Sequence, residues 1–370
     1  MNNHNINKLF LNLLSSSISN KPADANLFRE LDSLSWKKIE RIARKQSVSA
    51  LIADKALSLP EGSLPPKKQI MVFFSQIEQT KALNRKMISV LLKVKAEYLK
   101  VDLPFVLLKG LSAGINYPEP LLRNPGDVDL FLYRDGDYER SIDWLESNDI
   151  ELGIGNHIHY KFDVDGISIE NHSRITYFNH KKYDKLFADW EKELIEKENF
   201  TYIELGGQTI KQLPVEMNAF YIFQHLFLHF VHDGVGFRQY CDWLLFLHKY
   251  HKDIDSKSFT SIAKSYALLY PMQVFARAAV KYIEVPESIF PFEMIKDNRY
   301  VDVVIEDIFN GGNFGFHKPG KRRPEEKMDG MWFSFTSTLK RSIKFGALSP
   351  QHCAILPTKK LVNRLRIGLK

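Results

Sequence analysis

Cysteine is scarce in this chain. Only Cys241 and Cys353 occur among its 370 residues, and they lie far apart. Their number and separation exclude both a disulfide framework and a cysteine-based metal site. The scarcity is typical of a reducing compartment, so we expect a cytoplasmic protein.

Long apolar runs are also missing. The most apolar stretch, residues 219–231, contains two histidines and is shorter than the roughly 20 residues that a membrane-spanning helix needs. Residues 1–20 lack a basic start and have only a few apolar residues in succession, which is unlike a signal peptide. We therefore expect no membrane span.

What the chain does contain is typical of a globular protein. Apolar residues make up 44% of it and aromatic residues 12%, which is enough for a sizeable core and argues against disorder. The formal net charge is +7, with basic clusters at 317–327, 339–344 and 359–370. These clusters are compatible with an anionic ligand, or with solvated surfaces and a loose tail.

Hydrophobic periodicity divides the chain into three regions. Residues 1–100 are predicted to be helical. Residues 101–205 alternate short buried strands with a helix and a hairpin, which predicts an α/β domain with a small mixed sheet. Residues 206–370 return to helical patterns and end in a basic tail.

Several elements are predicted more closely. Ser35 is the expected N-cap of a helical segment over 35–59. The other expected elements are a long helix over 67–100, strands at 101–110 and 126–133, hairpin strands at 158–164 and 167–173, and helices over 215–234 and 237–251.

Two aspartates stand one residue apart at the start of a predicted strand. Asp127 and Asp129 directly follow Gly126 in RNPGDVDLFLY. On a strand, residues i and i+2 face the same side roughly 6–7 Å apart, where two carboxylates repel unless a cation lies between them. Carboxylates and substrate phosphates are the preferred ligands of Mg²⁺ in phosphoryl-transfer sites. The pair therefore indicates a magnesium site, and the alternative is a surface turn before a strand.

The predicted hairpin adds polar groups at every second position. These are His157, His159 and Lys161 on the first strand, and Ser168, Glu170 and His172 on the second. A third carboxylate from a neighbouring strand could complete a metal-binding trio and orient an attacking hydroxyl. The alternative is the exposed polar face of a hairpin.

The stretch LLKGLSAGINYPEPLLRNPGDVDLFL (107–132) resembles the uncharacterised nucleotidyltransferase family of the polymerase-beta-like superfamily. The stretch FQHLFLHFVHDGVGFRQYCDWLLFL (223–247) is similar to that family's C-terminal region, and the resemblance covers about 35–250. It implies an α+β fold, in which a polymerase-beta-like nucleotidyltransferase core is flanked by N-terminal and C-terminal helical regions.

The resemblance also implies roles for individual residues. Asp127 and Asp129 match the pair that binds two Mg²⁺ ions, and Glu170 matches the third carboxylate. An NTP would be the substrate.

The phosphate-binding residues depart from the superfamily pattern. Gly110 matches a glycine whose turn brings backbone amides near the phosphates, and Lys109 and Arg123 would neutralise triphosphate charge. The superfamily has Gly-Ser or Gly-Gly at this turn, whereas this chain has Leu111 after the glycine and Ser112 one place later. We include Ser112 among the nucleotide-binding residues. Salt bridges to the aspartates are the alternative role of Lys109 and Arg123.

Two further pairs are spaced for one helix face. His225 and His229 have the i, i+4 spacing of zinc-binding pairs, but no Glu follows His225 and no third ligand is evident. A packed or hydrogen-bonded pair is therefore expected, bordering the cleft. Arg238 and Asp242 have the same spacing and are expected to pair with each other.

The sequence thus predicts Mg²⁺-dependent attack of an acceptor hydroxyl on the α-phosphate of an NTP, releasing pyrophosphate. The acceptor could be a small molecule, a protein or RNA. One alternative is a degenerate, non-catalytic module that senses nucleotides or docks a protein. Another is nucleic-acid binding through the basic C-terminal segments, although these lack interleaved aromatic residues.

Overall fold

The computed structural model describes residues 3–153, 155, 158–312 and 327–368. His157 and most of the Gly-rich basic segment at 310–327 lie outside these residues, as does the end of the basic tail. No helix in the described ranges has the length and apolar character needed to cross a membrane.

Four helices precede the sheet. They are α1 (Asn3–Ser19), α2 (Ser33–Lys45), α3 (Ser49–Leu57) and α4 (Lys67–Lys100). The prediction of Ser35 as an N-cap is wrong, because Asp32 caps α2 and accepts a hydrogen bond from the Ser35 backbone N–H at 2.6 Å. Aspartate at an N-cap satisfies an N–H group that has no partner within the helix. The long helix over 67–100 is confirmed.

Six strands in the described residues form one mixed sheet, in the order β3-β4-β2-β1-β6-β5. They are β1 (Val106–Leu107), β2 (Val128–Phe131), β3 (His159–Val164), β4 (Ile167–His172), β5 (Thr201–Leu205) and β6 (Gln208–Gln212). β2 is parallel to β4 and antiparallel to β1, and β3 is antiparallel to β4. The predicted mixed sheet and its hairpin are therefore confirmed, while β1 and β2 are shorter than predicted.

A second hairpin, β5–β6, forms the opposite edge of the sheet. Its turn places Gly206 and Gly207 at φ +59° and +75°, in the left-handed region that glycine adopts without strain. This hairpin extends the sheet past residue 205. The division into three regions stays a prediction.

The remaining helices follow the sheet in the chain or connect its strands. They are α5 (Leu111–Gly114), α6 (Asp137–Ser147), α7 (Lys181–Glu196), α8 (Val215–His232), α9 (Phe237–Tyr250), α10 (Ser256–Ser265), α11 (Leu269–Ile283), α12 (Arg299–Gly311), α13 (Lys327–Phe345) and α14 (Pro350–Gly368). α8 and α9 confirm the two helices predicted over 215–234 and 237–251.

Each face of the sheet packs into a different core. On one face, Leu130 and Ile169 belong to a core that also contains Leu91 of α4 and Leu145 of α6. On the other face, Phe131 belongs to the large core that includes α8 and α9. Because side chains alternate along a strand, Asp129 is on the face toward α8.

Candidate functional site

Strand register brings the predicted polar residues together. Asp129 on β2 pairs with Glu170 on β4, and Lys161 on β3 pairs with Glu170 from the other side. Two residues along the strands, His159 on β3 pairs with His172 on β4. Since paired residues on neighbouring strands point to the same face, the five side chains form one polar surface.

This surface is one side of a cleft of about 390 Å³, within the size range of small-molecule sites. We call its sheet side the sheet wall, which consists of Lys109, His159, Lys161, Glu170 and His172. The fully buried Asp129 contacts Lys109 and His172 of this wall. The opposite side is the helix wall, which consists of Tyr221, His225, His229, Arg238 and Asp242 of α8 and α9.

The three predicted metal ligands form a cluster. Carboxylate oxygens of Asp127, Asp129 and Glu170 lie within 4.8 Å of one another. Asp127 is half-buried, whereas Asp129 is completely buried and Glu170 nearly so. In the described structure, Oδ2 of Asp129 is buried and has no hydrogen-bond partner. A buried carboxylate oxygen without a partner, beside two other carboxylates, fits an oxygen-liganded cation such as Mg²⁺.

Protein cations already contact two of the three carboxylates. Lys109 Nζ donates to Asp129 Oδ1 at 2.7 Å, and His172 Nε2 lies 3.1 Å from the same oxygen. Lys161 forms an ion pair with Glu170. The cluster therefore has much of its negative charge compensated before any ligand binds.

These contacts separate the pKa values of the carboxyl groups. The negative charge of Asp129, followed by burial, raises the pKa of Asp127 to about 6. Burial favours a raised pKa for Asp129, but Lys109 and His172 outweigh it and hold that pKa below the usual range. The pKa of Glu170 is also lowered, because hydrogen bonds from His172 and Lys161 outweigh burial. Asp127 is therefore the member that carries a proton in weakly acidic solution.

Gly110 has the geometry that its position next to Asp127 requires. Its φ is +72°, and a Cβ there would lie 3.0 Å from the backbone oxygen of Asp127. Any other residue would therefore be strained and would push against the segment that carries Asp127. The structure does not bring Ser112 to the cleft: its buried hydroxyl donates to Gln212 Oε1 at 3.0 Å.

Arg123 borders the cleft but is engaged by α9. Its Nε and Nη2 donate to Oδ1 and Oδ2 of Asp242, each at 2.8 Å, and Tyr117 also donates to Oδ1 at 2.8 Å. Both charged side chains are buried. This two-pronged geometry is the strong form of an arginine–carboxylate pair.

The predicted Arg238–Asp242 pair is wrong. Arg238 instead donates to the backbone oxygens of Asn124 and Pro125, at 3.4 and 3.1 Å. Asp242 meets Arg123, a partner more than a hundred residues away, because tertiary packing outweighs the weak attraction between exposed i, i+4 pairs. Arg238 thereby holds the segment that leads to Asp127.

The histidine pair of the helix wall is confirmed as a hydrogen-bonded pair. Nε2 of His229 lies 3.2 Å from Nε2 of His225. Burial lowers the pKa of His229 to about 4, and it lowers the pKa of His225 well below the usual value. Both histidines are therefore neutral at physiological pH.

The sequence prediction missed Tyr221. This residue is completely buried on α8 and hydrogen-bonds with Lys109. Its apolar surroundings in the sequence concealed it, although its position four residues before His225 places it on the same helix face.

The comparison with protein families agrees with the resemblance found in the sequence. A sequence model of the family described as Uncharacterised nucleotidyltransferase matches residues 32–283. No curated protein matches the chain. Among solved structures, an antigenic nucleotidyltransferase-like protein from Paracoccidioides brasiliensis is similar over 53% of this chain and 92% of that chain, with 14% identity and a TM-score of 0.33. Because the family match spans more than half of the sequence, this chain belongs to the uncharacterised nucleotidyltransferase family.

Proposed function

We propose that this protein is a Mg²⁺-dependent nucleotidyltransferase that transfers an NMP from an NTP to an acceptor hydroxyl and releases pyrophosphate. The observation that carries the proposal is the cluster of Asp127, Asp129 and Glu170 beside the cleft. Family membership supports the reaction class. A polymerase-beta-like core, formed by the mixed sheet and α5, is part of the same proposal.

Asp127, Asp129 and Glu170 would hold the metal, with two Mg²⁺ ions in this proposal. When bound, Mg²⁺ would offset the negative charge that develops on the phosphates. The unpartnered Oδ2 of Asp129 supports this assignment, because it is an available oxygen ligand at the centre of the cluster.

The chain's own groups would bind and orient the substrates. Lys109 and Lys161 would attract the triphosphate, and the backbone turn at Gly110 would approach it. Glu170 would orient the acceptor hydroxyl. Arg123 donates to Asp242 through Nε and Nη2 and to the backbone oxygen of Asn124 through Nη1, so its proposed part is to hold the segment before Asp127. We no longer include Ser112 among the nucleotide contacts, because its hydroxyl is bonded to Gln212.

The acceptor class, whether small molecule, protein or RNA, is open to a screen. Cys241 and Cys353 are both free and buried, which supports a cytoplasmic setting as part of the proposal.

One observation favours a second function, that of a non-catalytic nucleotide sensor. Lys109, Lys161 and His172 already compensate Asp129 and Glu170. Such compensation weakens the attraction for a divalent cation unless nucleotide phosphates add negative charge. Under this alternative, the cleft would bind an NTP without transferring its nucleotidyl group.

Calorimetric titration of each NTP in the presence and absence of Mg²⁺ tests the shared nucleotide site. We expect Mg²⁺-dependent binding that Asp127→Asn and Asp129→Asn lose. The matched control is Asp165→Asn, an exposed aspartate at the hairpin tip of the same sheet. Retention of full affinity by both site variants would overturn the proposed site.

Turnover separates the two functions. A bound nucleotide labelled at the α-phosphate should label an acceptor, with pyrophosphate released, if the protein is a transferase. Tight Mg²⁺-dependent binding without label transfer to small molecules, proteins or RNA from the source cell would identify the sensor.

A further inference from the structure

A second set of metal-ligand side chains lies on the sheet wall. Oε2 of Glu170 is 3.5 Å from Nε2 of His159 and 3.5 Å from Nε2 of His172. Nε2 of His172 is in turn 3.1 Å from Oδ1 of Asp129. The ligand atoms of His159, Glu170 and His172 lie within 4.8 Å of one another.

These separations match the edges of a tetrahedral metal site. Zinc–nitrogen and zinc–oxygen bonds of about 2.0–2.1 Å place neighbouring ligand atoms of a tetrahedron about 3.3 Å apart. The separations from His172 Nε2 to Glu170 Oε2 and Asp129 Oδ1, 3.5 and 3.1 Å, bracket this value. The two imidazoles also direct the same type of nitrogen toward one carboxylate oxygen. A single cation bound between the three groups would attract both imidazole nitrogens and the carboxylate oxygen.

The strands hold this arrangement before any ion binds. His159 and His172 are directly paired across β3 and β4, and Glu170 precedes His172 by two residues on the same face. The two rings are 4.9 Å apart. The side chains of His159, Glu170 and His172 are 16%, 7% and 5% exposed, so they reach the cleft without being fully solvated. Ligands on paired strands are positioned more precisely than ligands on loops.

We propose that His159, Glu170 and His172 form a site for a divalent transition-metal ion, with Zn²⁺ as the best-fitting ion. Imidazole nitrogens favour Zn²⁺ over Mg²⁺, which prefers oxygen ligands. Three protein ligands leave a fourth position for Asp129, for water or for an oxygen of a ligand in the cleft. Glu170 would be shared with the Asp127–Asp129 cluster. This inference goes beyond nucleotidyl transfer and does not require it.

Titration of the chelator-treated full chain with Co²⁺ tests the proposal. Co²⁺ replaces Zn²⁺ and absorbs visible light with an intensity that reports a tetrahedral ligand set. We expect one equivalent of Co²⁺ to give this spectrum and Zn²⁺ to displace it. His159→Gln should weaken binding by roughly 100-fold, since even loss of a group that only supports a metal ligand costs 10- to 100-fold.

His225→Gln is the matched control, because it removes a histidine from the other pair in the same cleft. We expect it to leave Co²⁺ affinity within about threefold of the wild type. No nucleotide is added, so failure of the nucleotide site would not affect the result.

Three outcomes would overturn the proposal: no Co²⁺ spectrum in the wild type, unchanged affinity in His159→Gln, or loss of binding in His225→Gln. The last would locate the ion at the α8 pair. Because His159 lies on an edge strand, we expect its variant to fold. If that variant unfolds, the wild type still decides the matter, since bound Co²⁺ should shift the imidazole NMR signals of His159 and His172 more than those of His225 and His229.

Discussion

His172 on the sheet wall and the histidine pair on the helix wall lie in opposite electrostatic environments. On the sheet wall, burial would lower the pKa of His172, but hydrogen bonds with Asp129 and Glu170 outweigh it and raise that pKa. On the helix wall, burial lowers the pKa of His225 and His229, and the positive charge of Lys109 adds to the effect. The imidazole of His172 is therefore disposed toward the charged form, while those of His225 and His229 are held neutral. His159 of the sheet wall is like the helix-wall pair, because burial lowers its pKa.

The walls also differ in how they compensate charge. The sheet wall pairs several charges with one another inside the cleft, with Lys109 on Asp129 and Lys161 on Glu170. The helix wall concentrates its ion pairing in the buried contact between Asp242 and Arg123. We therefore expect changes on the sheet wall to alter ligand binding and its pH dependence, and a change at Asp242 or Arg123 to alter stability.

The largest effect should come from breaking the buried ion pair. Among the described residues, Arg123→Met leaves Tyr117 as the remaining hydrogen-bond partner of the buried Asp242. Losing one member of such a pair costs about 3–5 kcal/mol of unfolding free energy. Urea denaturation measures this loss. The double variant Arg123→Met/Asp242→Leu should recover much of it, because no unpaired charge remains. A single variant as stable as the wild type would contradict the comparison of the walls.

Asp127→Asn should raise the free energy of unfolding, whereas Arg123→Met lowers it. With its pKa raised to about 6, Asp127 lowers stability as pH rises from its unfolded pKa, near 3.8, through 6, because the unfolded chain ionises first. The cost at pH 7 is about 3 kcal/mol. Metal-free Asp127→Asn should therefore be more stable than the wild type at pH 7, and the gain should shrink toward pH 4. Thermal unfolding in EDTA at both pH values measures it, with Asp165→Asn as the control. A constant difference between the two pH values would contradict the repulsion from Asp129.

A smaller, pH-dependent effect is expected at His229. Its pKa is lowered to about 4, so the unfolded chain binds a proton before the folded chain does. Stability is then lost as pH falls from about 6.5 toward 4, by about 2 kcal/mol at pH 5. His229→Gln should reduce the loss between pH 7.5 and pH 5. His248→Gln, an exposed histidine of α9, is the control and should leave the loss unchanged. If both variants lose stability as the wild type does, His229 is not held neutral.

Local patterns were enough to predict part of the site. Asp127, Asp129 and Glu170 were found from two-residue alternation and the resemblance, and the structure places the three together. The hairpin pattern also put His159 and Lys161 on one strand, facing one side. The patterns could place these residues on one face because strand periodicity is a property of a few neighbouring residues. Their roles in binding metal and nucleotide stay predictions.

Contacts between distant segments were beyond such patterns. Asp242 pairs with Arg123, more than a hundred residues earlier in the chain. Helix spacing had instead predicted Arg238 as the partner of Asp242. The orientation of Ser112 toward Gln212 depends on β6, which the sequence prediction did not include in the sheet. Even the cap of α2 was misplaced, since both Asp32 and Ser35 are good capping residues and the structure uses Asp32.

The register in which β2 pairs with β4 decides which side chains of β4 face the cleft. In the observed register, Glu170 and His172 face the cleft. Asn171 between them donates to the hydroxyls of Tyr98 and Tyr160 on the opposite face. Removing a single residue from β4 would exchange the two sets, because side chains alternate with a period of two. A one-residue deletion would then turn a carboxylate and an imidazole toward α4 and present Ile169 and Asn171 to the cleft. The hydrogen bonds from Asn171 to the two tyrosines therefore stabilise the present register, because a shift of β4 by one residue would break them.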